Sequence, residues 1–196
     1  EGGDPYFHYL YSINKDGSNL TLLTPEKKHH RITLSKNADY FLDRVSTPTQ
    51  PETSFIRSTH SKSGFIVEQM NIDELAATGW EAPSPFIVKD RNNEHNIYGL
   101  MYKPSDFDAS KSYPVVNYLY PGPQVGSIRG RLFRSARGDN QAIAELGFIV
   151  IEIDALGTPG RSKSYHDFYY QNMGDSGIPD QVAAIKQLAE KNSWID

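Results

Sequence analysis

The sequence predicts an α/β fold: a partial sheet with flanking helices, preceded by antiparallel β strands. Two short runs of apolar and β-branched residues, 114–119 and 148–153, are separated by a stretch of helical character. A strand, a helix and a second buried strand form the crossover unit from which parallel sheets are built. The first 70 residues instead repeat a strand–turn–strand pattern. The chain therefore predicts antiparallel strands first and a helix-covered parallel sheet second.

The antiparallel region begins with a predicted hairpin. Residues 6–13 are aromatic and partly alternating, and residues 20–23 return after a turn that contains Asp16-Gly17. Further strands are predicted at residues 31–34, 39–45, 54–58 and 65–69. A propeller blade has four strands and about 40–50 residues, so at most one and a half blades are present. Because a propeller needs several blades to close, we expect this region to be the end of a larger domain.

A helix and a proline-rich connector predict the domain boundary. The helix covers residues 71–79 and ends at Gly79, and the connector covers residues 80–85. We therefore expect propeller strands at 1–70, a helix and connector at 71–85, and an α/β domain at 86–196. That last part is predicted to open with a hairpin of strands at 86–89 and 97–103.

Two helices are predicted after the second apolar run. Residues 162–170 form a short candidate helix, and residues 178–192 form the clearest one. Pro179 suits the first turn of the longer helix, and Asp180 is an acid near the positive end of its dipole. The predicted apolar stripe consists of Val182, Ile185, Leu188 and Ala189.

Composition excludes several classes of partner and site. The net charge is −4, which gives no case for nucleic acid or an anionic membrane as a partner. The chain has no long apolar run for a transmembrane helix, and its start lacks the features of a signal peptide, so any targeting segment is expected outside it. The absence of cysteine excludes disulfides, thiolate metal sites and a cysteine nucleophile. We expect no cofactor and no metal.

No serine nucleophile is visible. The α/β-hydrolase elbow requires Gly-x-Ser-x-Gly between a strand and a helix, and the chain contains no such stretch. Residues 174–177, Gly-Asp-Ser-Gly, resemble the serine signature of chymotrypsin-like proteases. That fold is all-β, whereas Ser176 directly precedes a predicted helix, so we interpret Ser176 or Gly177 as a helix cap. No histidine pair has metalloprotease spacing, and all six histidines are predicted to be solvated.

Two residues at predicted strand ends are candidates for chemistry. Asp154 follows the second buried strand, where it could be a catalytic acid or could cap a loop. Tyr120 lies where the first buried strand gives way to Pro-Gly-Pro. Its phenol could donate a hydrogen bond to a developing oxyanion, or the ring could pack at the strand end. The residues alone leave both pairs of alternatives open.

Several segments resemble the prolyl oligopeptidase family of serine peptidases, and most closely its dipeptidyl-peptidase IV branch. They include YPVVNYLYPGPQ, GFIVIEIDALGTPGRSKSYHDFYYQNMGDSGIPDQVAAIKQL and, with less specificity, PYFHYLYSINKDGSNLTLLTP. The resemblance covers nearly the whole chain. It implies a partial α/β-hydrolase sheet after the last strands of a β-propeller.

The resemblance also implies roles for particular residues. The tyrosine of the family's Tyr-x-Gly-Pro segment lends its hydroxyl to the oxyanion hole, and here that residue is Tyr120. The Asp-Gln pair that opens the helix before the nucleophile strand corresponds to Asp180-Gln181, which we interpret as structural. The family's nucleophile Ser, its Asp and its His would lie outside this chain, as would the residues that hold a substrate's amino end.

The function implied is that of an exopeptidase fragment. The parent would release N-terminal dipeptides with Pro or Ala at the second position, by acyl-enzyme hydrolysis, and this chain alone is expected to be inactive. The alternatives are an acylaminoacyl peptidase or an esterase of the same fold, or a non-catalytic propeller interaction module. Family likeness implies a periplasmic or extracellular location and a peptide substrate. We also expect a homo-oligomer, because an incomplete sheet would expose an edge and the apolar faces of strand 148–153 and helix 178–192.

Overall fold

The computed structural model describes residues 4–61, 63–120, 122–126, 128 and 130–196. The chain divides into two compact units. The first contains Glu1–Glu74 and Gly130–Arg134, and the second contains Leu75–Arg129 and Ser135–Asp196. Lys62 and Pro121, which belong to predicted turns, lie outside the described residues.

The first unit holds the antiparallel strands. A short hairpin pairs β1 (Tyr11–Ser12) with β2 (Thr21–Leu22). An antiparallel sheet follows in chain order, formed by β3 (His29–Leu34), β4 (Tyr40–Thr47), β5 (Gln50–Ser58) and β6 (Gly64–Gln69). Four neighbouring antiparallel strands are the arrangement of a propeller blade, as the sequence predicts.

The strand predicted over residues 6–13 is wrong in extent, because only Tyr11–Ser12 pairs. Just before it, the Leu10 amide donates to the Thr24 hydroxyl at 2.8 Å. That side-chain contact takes a backbone donor that a longer ladder would need, so regular pairing begins only at Tyr11.

The prediction that all six histidines are solvated is wrong for His29 and His30, which are buried at the start of β3. Neighbouring residues of a strand point to opposite faces, and here both faces are covered. The His29 ring lies 3.0 Å from the Tyr6 carbonyl oxygen, and burial lowers the pKa of His29. On the other face, the His30 ring lies 3.0 Å from the Asp43 carboxylate, and both side chains are fully buried.

The second unit contains a mixed sheet. Its strands are β7 (Ser84–Lys89), β8 (Asn96–Tyr102), β9 (Val115–Tyr118) and β10 (Ile149–Ile153), in the spatial order β7-β8-β10-β9. β7, β8 and β10 pair antiparallel, whereas β9 and β10 pair parallel, with Val116 opposite Val150. The predicted parallel crossover is therefore confirmed.

The expectation that strand 148–153 exposes an apolar face is wrong. β10 lies between β8 and β9, and all five of its residues are buried. Within the described residues, the edge strands of this sheet are β7 and β9. The edges of this sheet therefore belong to β7 and β9, and both faces of β10 are covered.

Four helices are described: α1 (Asp73–Ala76), α2 (Asn140–Ala144), α3 (Lys163–His166) and α4 (Ile178–Lys191). The helix expected between the two apolar runs is limited to α2. The residues before it include Gly122, Gly126, Gly130 and Gly138, and glycine is a poor helix former.

The apolar stripe predicted for α4 is wrong at Val182, which is 45% exposed. The face that packs on the sheet carries Ala184 and Leu188, which join a core with Ile149 and Ile151 of β10. Residues four apart lie on one face of a helix, so this core-facing row passes through Ala184 and Leu188 and leaves Val182 beside it.

Candidate active site

Parallel pairing brings the carboxyl ends of β9 and β10 to one edge of the sheet. Tyr118 closes β9 opposite Glu152, one residue before the end of β10. Tyr120 follows β9 by two residues and is 53% exposed. In open α/β sheets the crevice at this edge is where ligands bind. The structure therefore has Tyr120 just beyond the shared carboxyl edge, with an accessible side chain.

The chain after Tyr120 forms a loop that we call the Tyr120 loop; its described residues are 120, 122–126 and 128. The main chain of Ile128 is held on both sides. Its amide donates to an Asp154 carboxylate oxygen at 3.2 Å, and its carbonyl accepts from Arg137 at 2.8 Å. Ile128 is fully buried, so these contacts are shielded from water.

Asp154 itself is buried and fixed. It directly follows β10, is 1% exposed, and its backbone carbonyl accepts the Tyr165 hydroxyl at 2.7 Å. A Cβ on Gly126 would lie 2.7 Å from the Asp154 carboxylate, so only glycine lets the loop pass this close. Asp154 thus makes the loop-capping contact, which is one of the two roles that the sequence predicts for it.

A histidine holds the same loop nearer to Tyr120. His166, the last residue of α3, places Nε2 2.7 Å from the Pro123 carbonyl oxygen. Ser162 caps α3 by accepting from the Tyr165 amide at 3.2 Å, which fixes where the helix begins. This contact has no local sequence signal, because the two residues are 43 positions apart in the chain.

The Gly-Asp-Ser-Gly segment forms a helix start, as predicted. Gly177 is the N-cap of α4 in a left-handed conformation, φ 68°. The Ser176 hydroxyl donates to the Met173 carbonyl at 2.8 Å. The Ser176 hydroxyl therefore stabilises the turn that precedes α4.

Asp180-Gln181 ties α4 to the sheet. Gln181 accepts from the Asn117 amide group at 2.9 Å, and Asn117 lies on β9. Asp180 is fully buried and accepts from both Nε and a terminal nitrogen of Arg91, at 2.9 Å and 2.8 Å. Sequence reasoning identified the pair as structural but missed both partners.

A buried acid lies on β10 behind this edge. Glu152 is 3% exposed and accepts the Tyr102 hydroxyl at 2.9 Å. Burial raises the pKa of Glu152, while the Tyr102 hydrogen bond and the charge of Arg137 oppose the shift. Burial and the neighbouring Glu152 charge raise the pKa of Tyr102 as well.

The raised pKa of Glu152 predicts a pH dependence of stability. A raised folded-state pKa stabilises the fold below the unfolded pKa, about 4.3 for Glu, and this contribution is lost as the pH rises through the folded value. Glu152→Gln removes the titration, so its free energy of unfolding, relative to the wild type, is expected to increase with pH across that window. Urea unfolding at a series of pH values measures it. Parallel profiles for the two proteins would contradict the assignment.

The described part of the chain offers no cluster of three or more His, Asp or Glu side chains arranged to hold a metal ion. None of its helices combines the length and the apolar character that a membrane crossing requires.

Two family models match the chain. The model of the prolyl oligopeptidase family matches residues 134–196, and the model of the dipeptidyl peptidase IV (DPP IV) N-terminal region matches residues 1–52. Among curated relatives, Dipeptidyl peptidase 8 of Mus musculus is 26% identical over 98% of this chain and 22% of its own length. Probable dipeptidyl-aminopeptidase B of Ajellomyces dermatitidis is 25% identical over 97% of this chain and 21% of its own length.

A solved structure shares the fold. The crystal structure of a Bacteroides ovatus protein assigned as a dipeptidyl aminopeptidase IV aligns with a TM-score of 0.78 and 26% identity. The alignment covers 95% of this chain and 26% of that one. This chain spans about a fifth of the length of the curated relatives it matches, 22% and 21% for those named.

Fold and site together define a protein class: the last strands of a β-propeller followed in sequence by the first part of an α/β-hydrolase domain. The family models, the relatives and the solved structure all agree with that class. These matches support the prolyl oligopeptidase family of serine peptidases and, within it, the dipeptidyl-peptidase IV branch.

Proposed function

We propose that the full-length protein carrying this sequence is a serine exopeptidase that releases dipeptides from peptide N-termini, with Pro or Ala preferred at the second position. The matched relatives are named as dipeptidyl peptidases and a dipeptidyl-aminopeptidase, which supports this class of substrate. The observation that carries the proposal is the position of Tyr120, exposed at the carboxyl edge that β9 and β10 share.

That position suits the chemistry of acyl transfer. A serine hydroxyl attacks the carbonyl carbon of the scissile bond, and the carbonyl oxygen becomes negatively charged. The Tyr120 phenol donates a hydrogen bond to this oxyanion, together with a backbone amide from elsewhere in the full-length protein. The proposed catalytic His takes the serine proton and passes it to the leaving nitrogen. Collapse of the intermediate then expels the amine and leaves a dipeptidyl ester, which water hydrolyses.

The catalytic Ser, Asp and His are proposed to come from sequence beyond these 196 residues. The chain contains no Gly-x-Ser-x-Gly stretch. β9 is an edge strand, so a further parallel strand could pair with it. The hydrogen bond between Asn117 of β9 and Gln181 of α4 holds this edge in place. We therefore propose that the chain alone has no peptidase activity.

We also propose that the protein self-associates through exposed strand edges. Within the described residues, β9 and β6 are edge strands, and β6 is exposed along its whole length. Its Phe65, Ile66 and Val67 are each more than half exposed. Unpaired edges with apolar side chains favour pairing between copies.

Fluorogenic dipeptide amides test the proposed function. The full-length protein is expected to cleave Ala-Pro and Ala-Ala amides with a free amino terminus and to leave the N-acetylated forms intact. The 196-residue chain is expected to match a buffer blank. Cleavage of the acetylated forms alone would favour an acylaminoacyl peptidase, ester cleavage alone an esterase, and no cleavage a non-catalytic module. Turnover by the isolated chain would refute the proposed location of the triad.

A further inference from the structure

We infer that Asp154 is a positioning residue for Tyr120, acting through the backbone of the Tyr120 loop; the inference rests on the proposed role of Tyr120 as an oxyanion donor. The juxtaposition that carries it is a buried carboxylate at the end of one parallel strand, bonded to the loop that follows the other.

The carboxylate is held where it cannot meet a substrate. Asp154 is 1% exposed, and its backbone is fixed by the Tyr165 hydroxyl at 2.7 Å. Its side chain accepts from the Ile128 amide at 3.2 Å. A buried acid so placed stabilises loop geometry and is shielded from a ligand at the exposed edge.

The loop is anchored at more than one point. Arg137, itself only 8% exposed, donates to the Ile128 carbonyl at 2.8 Å. His166 Nε2 lies 2.7 Å from the Pro123 carbonyl oxygen, three residues after Tyr120. A Cβ at Gly126 would lie 2.7 Å from an Asp154 carboxylate oxygen, so Gly126 packs closely against this side chain. Asp154 thus binds the loop at Ile128 and leaves no room for a larger residue at Gly126.

This anchoring matters because an oxyanion donor has to be placed accurately. A donor acts at about 2.7–3.1 Å from the developing oxyanion, and a misplacement of about 1 Å can reduce the rate about 10²-fold. Tyr120 is half exposed and lies two residues after β9, so the loop that follows it is one of the structures that position its backbone and thereby its hydroxyl.

A double-mutant cycle in the full-length peptidase tests the inference. The variants are Asp154→Ala, Tyr120→Phe and the double substitution, with Asp154→Asn as the conservative variant whose amide oxygen can still accept from Ile128. We expect Asp154→Ala to lower kcat about 10- to 100-fold with KM changed less than about threefold. In the Tyr120→Phe background the same substitution is expected to cost less than about threefold. Asp154→Asn is expected to retain most of the kcat.

The outcomes separate the inference from the proposed function. An equal loss from Asp154→Ala in both backgrounds would overturn the inference and leave the role of Tyr120 standing. A full kcat for Tyr120→Phe would overturn the role of Tyr120 and the inference with it. If Asp154→Ala fails to fold, judged by its thermal unfolding, His166→Ala replaces it in the cycle. Removing the Pro123 contact is likewise expected to lower kcat only when Tyr120 is present.

Discussion

Tyr120→Phe in the full-length protein is expected to lower kcat about 10²- to 10³-fold, with little change in KM. Loss of one oxyanion-hole donor has an effect of this size, because the hydrogen bond strengthens as charge develops on the oxygen. An interaction made mainly in the transition state affects kcat and kcat/KM alike. Steady-state kinetics with a free-amino-terminus dipeptide amide measures the effect.

Tyr118→Phe is the matched control for this prediction. Tyr118 is the last residue of β9, is 39% exposed, and carries the same hydroxyl two positions before Tyr120. Its substitution is expected to leave kcat within about threefold of the wild type. Equal effects of the two substitutions would contradict a specific role for the Tyr120 hydroxyl.

Arg91→Met is expected to lower the free energy of unfolding by about 3–5 kcal/mol. Arg91 lies after β7 and pairs with two acids, Asp180 on α4 and Asp175 just before it. The Asp180 side chain is fully buried, and those of Arg91 and Asp175 are 19% and 13% exposed. Removing one partner of a buried ion pair leaves an uncompensated charge, which gives a destabilisation of about this size. Denaturant unfolding measures it.

Lys163→Met is the control, because Lys163 also pairs with an acid, Asp167, but with a side chain that is 87% exposed. Exposed pairs of this kind contribute about 0.2–1 kcal/mol, so a small effect on the free energy of unfolding is expected.

The stabilisation by the Arg91 ion pair is also expected to depend on pH. Arg91 lowers the pKa of Asp175, so this stabilisation is present above the unfolded pKa of about 4 and is lost as the pH falls through the folded value. A loss under 1 kcal/mol at neutral pH would contradict the ion-pair assignment.

The parallel pairing of β9 and β10 could be predicted because buried parallel strands have a recognisable local sequence pattern. Each is a short apolar run bounded by turn residues, and a crossover between such runs has few alternatives. Tyr120 could be placed for the same reason, since a side chain just beyond a strand end lies at the carboxyl edge. The family resemblance then implies the role of Tyr120 as an oxyanion-hole donor.

The rest of the site depends on contacts between residues far apart in the sequence. Arg91 and Asp180 are separated by 89 positions, and Arg131 and Asp4, which bond at 2.6 Å within the first unit, by 127. From the sequence alone, Asp180 is predicted only to interact with the helix dipole, because its partner Arg91 lies in a distant turn. His30 is predicted to be solvated for a similar reason, because its partner Asp43 lies on the neighbouring strand and no local motif links the two.

The most direct test of the central claim is a crystal structure of the full-length protein with a dipeptide boronic acid bound covalently to its serine. The tetrahedral boronate mimics the oxyanion intermediate. We expect one boronate oxygen within about 2.7–3.1 Å of the Tyr120 hydroxyl, at the edge where β9 and β10 end. A boronate bound at another edge of the sheet, or a Tyr120 hydroxyl turned away from it, would contradict the claim.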